Sequence, residues 1–284
     1  MASKIKVDTL ETANGSGSIT INNPINTAGI TSVTLGTSNF VAGVNAGNSI
    51  TSGGNYNTTI GDEAGTAITT GDNNVAVGYN SLTANTTGTD SVAIGHSALL
   101  AQTTGGDNVA IGHLAMSSLT TAGNNTAVGD RAMQANTSGE NNVAIGTLAL
   151  DANTTGASNT AVGRDSLTAN TTGTQNTAVG KSALAANTTA GQNTAMGREA
   201  LFANTTGADN TAIGAAALYS NTTASSNTAV GRSCLINNTT GAENVAVGAE
   251  SLDANTTGVQ NNAIGYLSLT SCTTGSYNVA MGVA

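Results

Sequence analysis

The sequence contains a 17-residue repeat that runs from Ile60 to Ala284 without an insertion or a deletion. Its most constant position is a glycine after a small aliphatic triplet, which we call the turn glycine. The turn glycines are Gly61, Gly78, Gly95, Gly112, Gly129, Gly146, Gly163, Gly180, Gly197, Gly214, Gly231, Gly248, Gly265 and Gly282. A period held this strictly predicts that each unit stacks on the previous one as a coil of a solenoid, because a change in length would break the stack.

The composition favours an ordered repeat over a conventional globular core. Aromatic residues make up 2% of the chain and charged residues 8%, whereas hydrophobic residues still make up 38%. That hydrophobic content, with a net charge of only -9, argues against disorder. Seven Lys and Arg in total provide no basic surface for nucleic acid, which we therefore do not expect as a partner. The single proline, Pro24, marks a predicted boundary ahead of the repeats.

Each unit can be read from its turn glycine, and residues 163–180 are a typical example. The segment Asn-(Thr/Val)-Ala-(Val/Ile) alternates with a period of two and predicts a short strand, and we expect a second strand centred on the Leu four residues after the glycine. The aliphatic residue before each glycine, such as Val77, is predicted to form continuous core columns with leucines such as Leu82. Stacked Asn residues are predicted to pair their side-chain amides along the axis.

The predicted fold class is all-β, a parallel β-solenoid of 17-residue coils. One coil buries a Leu, a Val or Ile and some Ala, which at about 25 cal/mol per Å² barely offsets the entropy of ordering the coil. Small apolar side chains point to both faces of the predicted strand and indicate a second burial surface. We expect a parallel homotrimer to supply that surface, with a dimer as the alternative.

The quintet at residues 91–95, with its echoes at 142–146 and 244–248, resembles the repeat of trimeric autotransporter adhesin heads. The resemblance implies a left-handed parallel β-roll that assembles as a trimer. The chain departs from that family in its expected lack of a signal peptide, a coiled-coil stalk and a C-terminal membrane barrel. We therefore do not expect it to export or anchor itself in that way.

The opening segment, residues 4–23, is similar to the N-termini of tail fibre proteins of marine tailed bacteriophages, where it attaches the fibre to the virion. Alternating apolar residues on either side of residues 14–17 predict a β-hairpin. The alternative is a hairpin that only caps the solenoid. The residues expected to anchor the chain to the virion are Ile5, Val7, Leu10, Ile19 and Ile21.

Three segments follow: a virion-attachment segment over 1–24, a neck or linker over 25–54, and a β-roll shaft of about 13 coils over 55–284. We find no apolar leader and no stretch long enough to cross a bilayer, and so expect folding in the host cytoplasm and a place in the virion tail. The expected partners are further copies of the chain, phage tail proteins at the N-terminus, another fibre protein at the C-terminus, and a host receptor or polysaccharide.

The position after the turn glycine carries most of the candidate chemistry. A basic column at this position is a candidate site for anionic glycan, because Arg forks clasp carboxylates and phosphates. It consists of Arg164, Lys181, Arg198 and Arg232. The alternative is a solvated edge neutralised by Asp165 and Glu199. His96 and His113 share the same position, but we expect no metal, because we find no carboxylate or cysteine there to complete a shell.

Neither a nucleophile with a His partner, nor a carboxylate pair at repeated spacing, nor a phosphate loop is found, so we expect no enzyme and no cofactor. Cys234 and Cys272 occupy different positions of the repeat and are expected to stay reduced. The predicted function is that of a trimeric phage tail fibre or spike for host attachment. The alternatives are a bacterial-surface-type adhesin, an ice-binding solenoid or a polysaccharide-degrading tailspike. Ice binding requires a regular Thr array, whereas the same strand position holds Val in some repeats and Thr in others, for example Val75 and Thr126.

Overall fold

The computed structural model describes residues 36–283, which form one parallel sheet of 15 strands in chain order. The strands are β1 Phe40–Ala42, β2 Thr58–Ile60, β3 Val75–Val77, β4 Val92–Ile94, β5 Val109–Ile111, β6 Thr126–Val128, β7 Val143–Ile145, β8 Thr160–Val162, β9 Thr177–Val179, β10 Thr194–Met196, β11 Thr211–Ile213, β12 Thr228–Val230, β13 Val245–Val247, β14 Asn262–Ile264 and β15 Val279–Met281. The chain is therefore a β-solenoid of about 14 turns, which confirms the predicted fold class. At about 4.8 Å per strand the sheet extends about 67 Å.

The solenoid begins earlier than the repeat pattern predicts. Strand β1 lies inside the segment 25–54 that the sequence assigns to a neck, and it pairs in parallel with β2. This first coil has 18 residues instead of 17, since Phe40 pairs with Thr58 whereas Thr160 pairs with Thr177. The extra residue falls in the corner that follows Thr51, where it leaves the strand register unchanged.

The inward face of the sheet is lined by the middle residue of each strand. In β8, Ala161 has 0% exposure, whereas the Thr before it and the Val after it are only half-buried. Leu167, from the opposite wall of the coil, belongs to the same core cluster and is also fully buried. The predicted core columns are therefore wrong in part: the leucines lie in the core, but the aliphatic residues before the turn glycines lie outside it. A three-residue strand turns only its middle side chain inward.

The predicted second strand around the Leu is wrong, because that segment forms turns. Leu167 has a φ of 49°, and Asp165, two residues earlier, has a φ of 58°. Left-handed conformations cost an L-residue about 1–2 kcal/mol. Full burial of a Leu side chain contributes about 1.5–3 kcal/mol and offsets this cost. The turn segment still bonds to the next coil, since Leu167 N–H donates to Ala183 O at 3.0 Å.

In the first two coils, the large and small core residues are on opposite walls compared with the later coils. Here the inward strand residues are Val41 and Thr59 instead of Ala, and glycines occupy the place of the core Leu. A Cβ added to one of them, Gly65, would lie 2.7 Å from Thr59 Cγ2 and 2.8 Å from Ile68 Cδ1. A large residue on one wall thus requires a small one opposite, because protein interiors are close-packed.

A column of buried Asn side chains precedes the strands and confirms the predicted amide ladder. Asn159 Nδ2 donates to Asn142 Oδ1 at 3.2 Å and to Gly173 O at 2.8 Å. Its own Oδ1 accepts the Asn176 backbone N–H at 3.0 Å and the Asn176 Nδ2 at 3.2 Å. Asn159 has 0% exposure, so these bonds satisfy every polar atom that its side chain removes from water.

A second buried amide column runs beside the first, through the Asn of the Asn-Thr-Thr corner. Asn170 Nδ2 donates to Asn153 Oδ1 at 2.9 Å and to Gly173 O at 3.1 Å. The Gly173 carbonyl is therefore shared by both columns. The two columns fill part of the coil's interior with hydrogen-bonded amides. A chain with few large apolar residues can therefore still have a filled core in which the buried polar groups are paired.

In one coil, both amide columns carry a residue other than Asn. Ser91 replaces the Asn of the first column, and Gln102 replaces the Asn of the second. The longer Gln102 reaches across, since its Nε2 donates to Ser91 Oγ at 3.1 Å and its Oε1 accepts from Asn108 Nδ2 at 3.0 Å. The extra methylene of Gln102 thus compensates for the shorter serine.

The turn glycine is required for two independent reasons. Gly163 has a φ of 128°, which L side chains rarely adopt. A Cβ on Gly163 would also lie 2.6 Å from the carbonyl oxygen of Gly180 in the next coil. A side chain at this position would therefore be strained by the backbone conformation and would also clash with the next coil.

Candidate functional site

The exposed side of the sheet is a regular surface that extends along all 15 strands, and we call it the outer face. It consists of the first and third residues of every strand, which point away from the core. The third residues are the more exposed, for example Ile94 at 37%, Ile145 at 41% and Met196 at 42%. Exposed apolar rows of this extent are uncommon on monomeric soluble proteins and mark interaction surfaces.

The outer face carries no charge along its described length, since none of strands β1 to β15 contains a charged residue. Charged residues lie instead in the corners. The first strand position holds Val in some strands and Thr in others, as β7 and β8 illustrate. Apart from the amide of Asn262 in β14, the face is a band of apolar and hydroxyl side chains repeated at the strand spacing.

The position after the turn glycine forms a column of exposed side chains along one edge of the sheet, which we call the corner column. After Asp62, the next three members are aromatic: the ring centroids of Tyr79 and His96 lie 5.4 Å apart, and those of His96 and His113 lie 5.3 Å apart. His113 Nδ1 lies 2.8 Å from Asp130 Oδ1. Sequence reasoning missed Asp130, which follows Gly129 and so occupies this same position. The expectation that no carboxylate shares this column is wrong.

Hydrogen bonding to His113 lowers the pKa of Asp130; desolvation opposes this shift, and Arg131 acts in the same direction as His113. Arg131 Nε lies 3.3 Å from Asp130 Oδ2. Asp130 is therefore an ionised acceptor at neutral pH. Its two oxygens face two different donors, which orients the carboxylate toward the imidazole of His113.

The predicted basic column is placed as expected but is largely neutralised by acidic neighbours. Three of its members pair with carboxylates, and Ala215 interrupts the column. The pairs are Arg164 with Asp165 at 3.1 Å, Arg198 with Glu199 at 3.4 Å, and Arg232 with Glu250. Lys181 makes no ion pair within residues 36–283. The geometry favours the solvated edge over a clasp for anionic glycan, and glycan binding stays a prediction.

Two further carboxylates in the turn segment have a buried oxygen without a partner. These are Asp151 Oδ1 and Asp253 Oδ1. Burial raises the pKa of Asp151, with Arg131 opposing the shift. Asp151 and Asp253 occupy equivalent positions six coils apart. That separation excludes a carboxylate dyad, because paired acid and base groups act within a few ångströms of each other.

Outside the corner column, Tyr56 and Tyr277 are exposed rings, at 61% and 74%, whereas two other aromatic residues cover each other. Phe202 and Tyr219 lie in adjacent coils and stack on each other, with ring centroids 5.1 Å apart and an interplanar angle of 9°. Each ring therefore covers one face of the other. Tyr266, which belongs to the corner column, is 49% exposed.

Both cysteines are free thiols, as the sequence predicts. Cys234 is fully buried, and burial raises its pKa to about 12. Its Sγ donates to Ala246 O at 3.1 Å, so this residue acts as a small core side chain. Cys272, near the last coil, is partly exposed.

The residues predicted to anchor the virion lie outside the described part of the chain. Within residues 36–283, no group of three or more His, Cys, Asp or Glu side chains is arranged to hold a metal ion. The same residues include no helix with the length and hydropathy needed to cross a membrane. The chain matches no family model, no curated protein and no solved structure.

Proposed function

We propose that the chain is the shaft of a trimeric fibre, of the kind that phage tails use for host attachment, with the N-terminal segment bound to the virion. The observation that carries the proposal is the outer face, an uncharged band across all 15 strands with a continuous row of apolar third residues. The similarity of residues 4–23 to tail fibre N-termini supports the viral setting.

A second copy of the chain is the partner that fits the outer face best. Its side chains recur every 17 residues at the strand spacing of about 4.8 Å, and a partner with the same repeat makes the same contact in every coil. Identical parallel chains arranged about one axis meet this condition and form a closed assembly. The resemblance to adhesin heads favours three copies over two.

The mechanism of such a shaft is reach and stiffness. Hydrogen bonds from one coil to the next run around the whole coil, through the strands, the turns and the two amide columns. Bending the rod requires many of these bonds to distort together. Contacts with a host polysaccharide would then come from corner side chains such as Lys181, which makes no ion pair within residues 36–283 and is exposed.

Light scattering on the purified protein tests the assembly. A trimer of 27.6 kDa chains has a mass of about 83 kDa, and a dimer has about 55 kDa. We expect the trimer mass, unchanged on dilution across the micromolar range. A mass of 27.6 kDa, with the circular dichroism of a β-protein, would contradict the proposal.

One observation favours ice binding as a second candidate function. The second Thr of each Asn-Thr-Thr corner, as at Thr155 and Thr172, is exposed and forms a column at the strand spacing. The first Thr, however, is engaged within the solenoid, since Thr171 Oγ1 donates to Thr188 O at 3.0 Å. The Asn-Thr-Thr corners therefore present one column of free hydroxyls, not a two-dimensional array. We expect no thermal hysteresis, and freezing-point measurements with the intact chain would detect it if this is wrong.

A further inference from the structure

The aromatic part of the corner column contains both histidines of the chain. His96 and His113 are exposed, and each directly follows a turn glycine in adjacent coils. Their ring centroids lie 5.3 Å apart with an interplanar angle of 46°. The backbone beneath them is held by the inter-coil ladder, as Leu114 N–H donates to His96 O at 3.0 Å. The spacing of the two imidazoles is therefore set by the fold.

The contact with Asp130 determines which nitrogen of His113 is free. Nδ1 lies 2.8 Å from the carboxylate Oδ1, an acceptor, so Nδ1 carries the proton and donates it in this bond. The neutral ring then has its lone pair on Nε2, which the exposed corner leaves open to solvent. A carboxylate that holds the second nitrogen of an imidazole is the arrangement that typically supports a metal-binding histidine.

The distance between the rings matches two imidazoles on one metal ion. With metal–nitrogen bonds of about 2.0–2.1 Å and a tetrahedral angle, two imidazole centroids lie about 5.2 Å apart. The observed 5.3 Å agrees with that value. We propose that His96 and His113 bind one divalent transition metal ion of the Zn²⁺, Ni²⁺ and Cu²⁺ class through two ring nitrogens. Water completes the coordination, since no third protein ligand is arranged there within residues 36–283.

The proposal assigns a different role to each member of the group. His96 and His113 are ligands, and imidazole suits these borderline metals. Asp130 is a positioning residue that keeps the tautomer and the ring orientation of His113. The site goes beyond the proposed function, because neither assembly nor virion attachment depends on it. A metal ion at this position would cross-link the two adjacent coils that follow β4 and β5.

Calorimetric titration of the full-length protein with Ni²⁺ tests the site. A Cys272→Ser background removes the partly exposed thiol as a competing ligand, while the buried Cys234 stays in place. We expect one Ni²⁺ per chain. His96→Thr and His113→Thr should each lower the affinity at least about tenfold, because the second ligand of a chelate binds at high effective concentration. Thr147 occupies the same position in another coil, so threonine is compatible with this corner.

Two further variants separate positioning from binding. Asp130→Asn should weaken Ni²⁺ binding about tenfold with the stoichiometry unchanged, because it removes the charge that holds His113. Tyr266→Thr, at the same position in a distant coil, should leave the affinity unchanged. The proposal is overturned if Ni²⁺ shows no saturable binding, or if either histidine variant lowers the affinity less than tenfold while circular dichroism stays that of the parent.

Discussion

Two glutamates on the outer face are expected to dissociate the assembly. In the double variant Ile111→Glu and Ile145→Glu, the charges lie two coils apart on the exposed third residues of β5 and β7. If copies pack through this face, each subunit contributes two carboxylates to an interface without charged partners. Burying an unpaired charge costs several kcal/mol, and each chain would bury two such charges. The mass from light scattering should fall from about 83 kDa to 27.6 kDa.

The chain provides a matched control for this experiment. Thr104→Glu with Ser138→Glu adds the same charge at the same two-coil spacing, but in exposed corners away from the sheet. This variant should keep the mass of the parent protein. If both double variants keep the mass of the parent protein, the outer face is not the interface. A fall in both would indicate a general effect of charge.

Shortening one ladder asparagine is expected to produce the second large effect. In Asn159→Ser the side chain loses two donors, to Asn142 Oδ1 and Gly173 O, and the carbonyl that accepts from Asn176. Each buried polar group left without a partner costs about 1–3 kcal/mol. We expect a loss of about 3 kcal/mol in the free energy of unfolding. Urea unfolding followed by circular dichroism at fixed protein concentration measures it.

The natural exchange of Ser91 and Gln102 supplies the rescue. Asn159 and Asn170 occupy the equivalent positions four coils later. Asn159→Ser combined with Asn170→Gln should therefore be more stable than the sum of the two single effects, with a coupling of about 1 kcal/mol or more. Thr172→Ser, at an exposed corner, is the control and should leave the unfolding midpoint unchanged. Strict additivity of the two ladder substitutions would contradict the compensation inferred from Gln102.

The register of the solenoid could be predicted because it follows from length alone. A fixed 17-residue period puts equivalent residues above one another whatever the path of each coil. The same argument predicted the amide ladder and the shared repeat position of His96 and His113. It should also have identified Asp130, since counting 17 residues from His113 leads directly to it.

The path inside one coil could not be predicted. Period-two alternation reports that two sides of a strand differ, but not which side is inside. Ala161 lies inside and Val162 outside because Leu167 approaches from the opposite wall, a distance that depends on how the coil turns. The left-handed conformation of Leu167 was likewise hidden, since propensity disfavours it and only burial compensates. The first coil was missed because its Val41 and Gly47 reverse the usual sizes.

The amino-acid sequence alone therefore determined that the chain stacks, with what spacing, and which side chains share a column. Those properties depend only on counting, because identical coils must superimpose. The tertiary structure decided which columns are core and which form the outer face, and where the charges of the corners are neutralised. Those outcomes depend on distances across the coil and between its corners, which arise only when residues far apart in the chain are packed against each other.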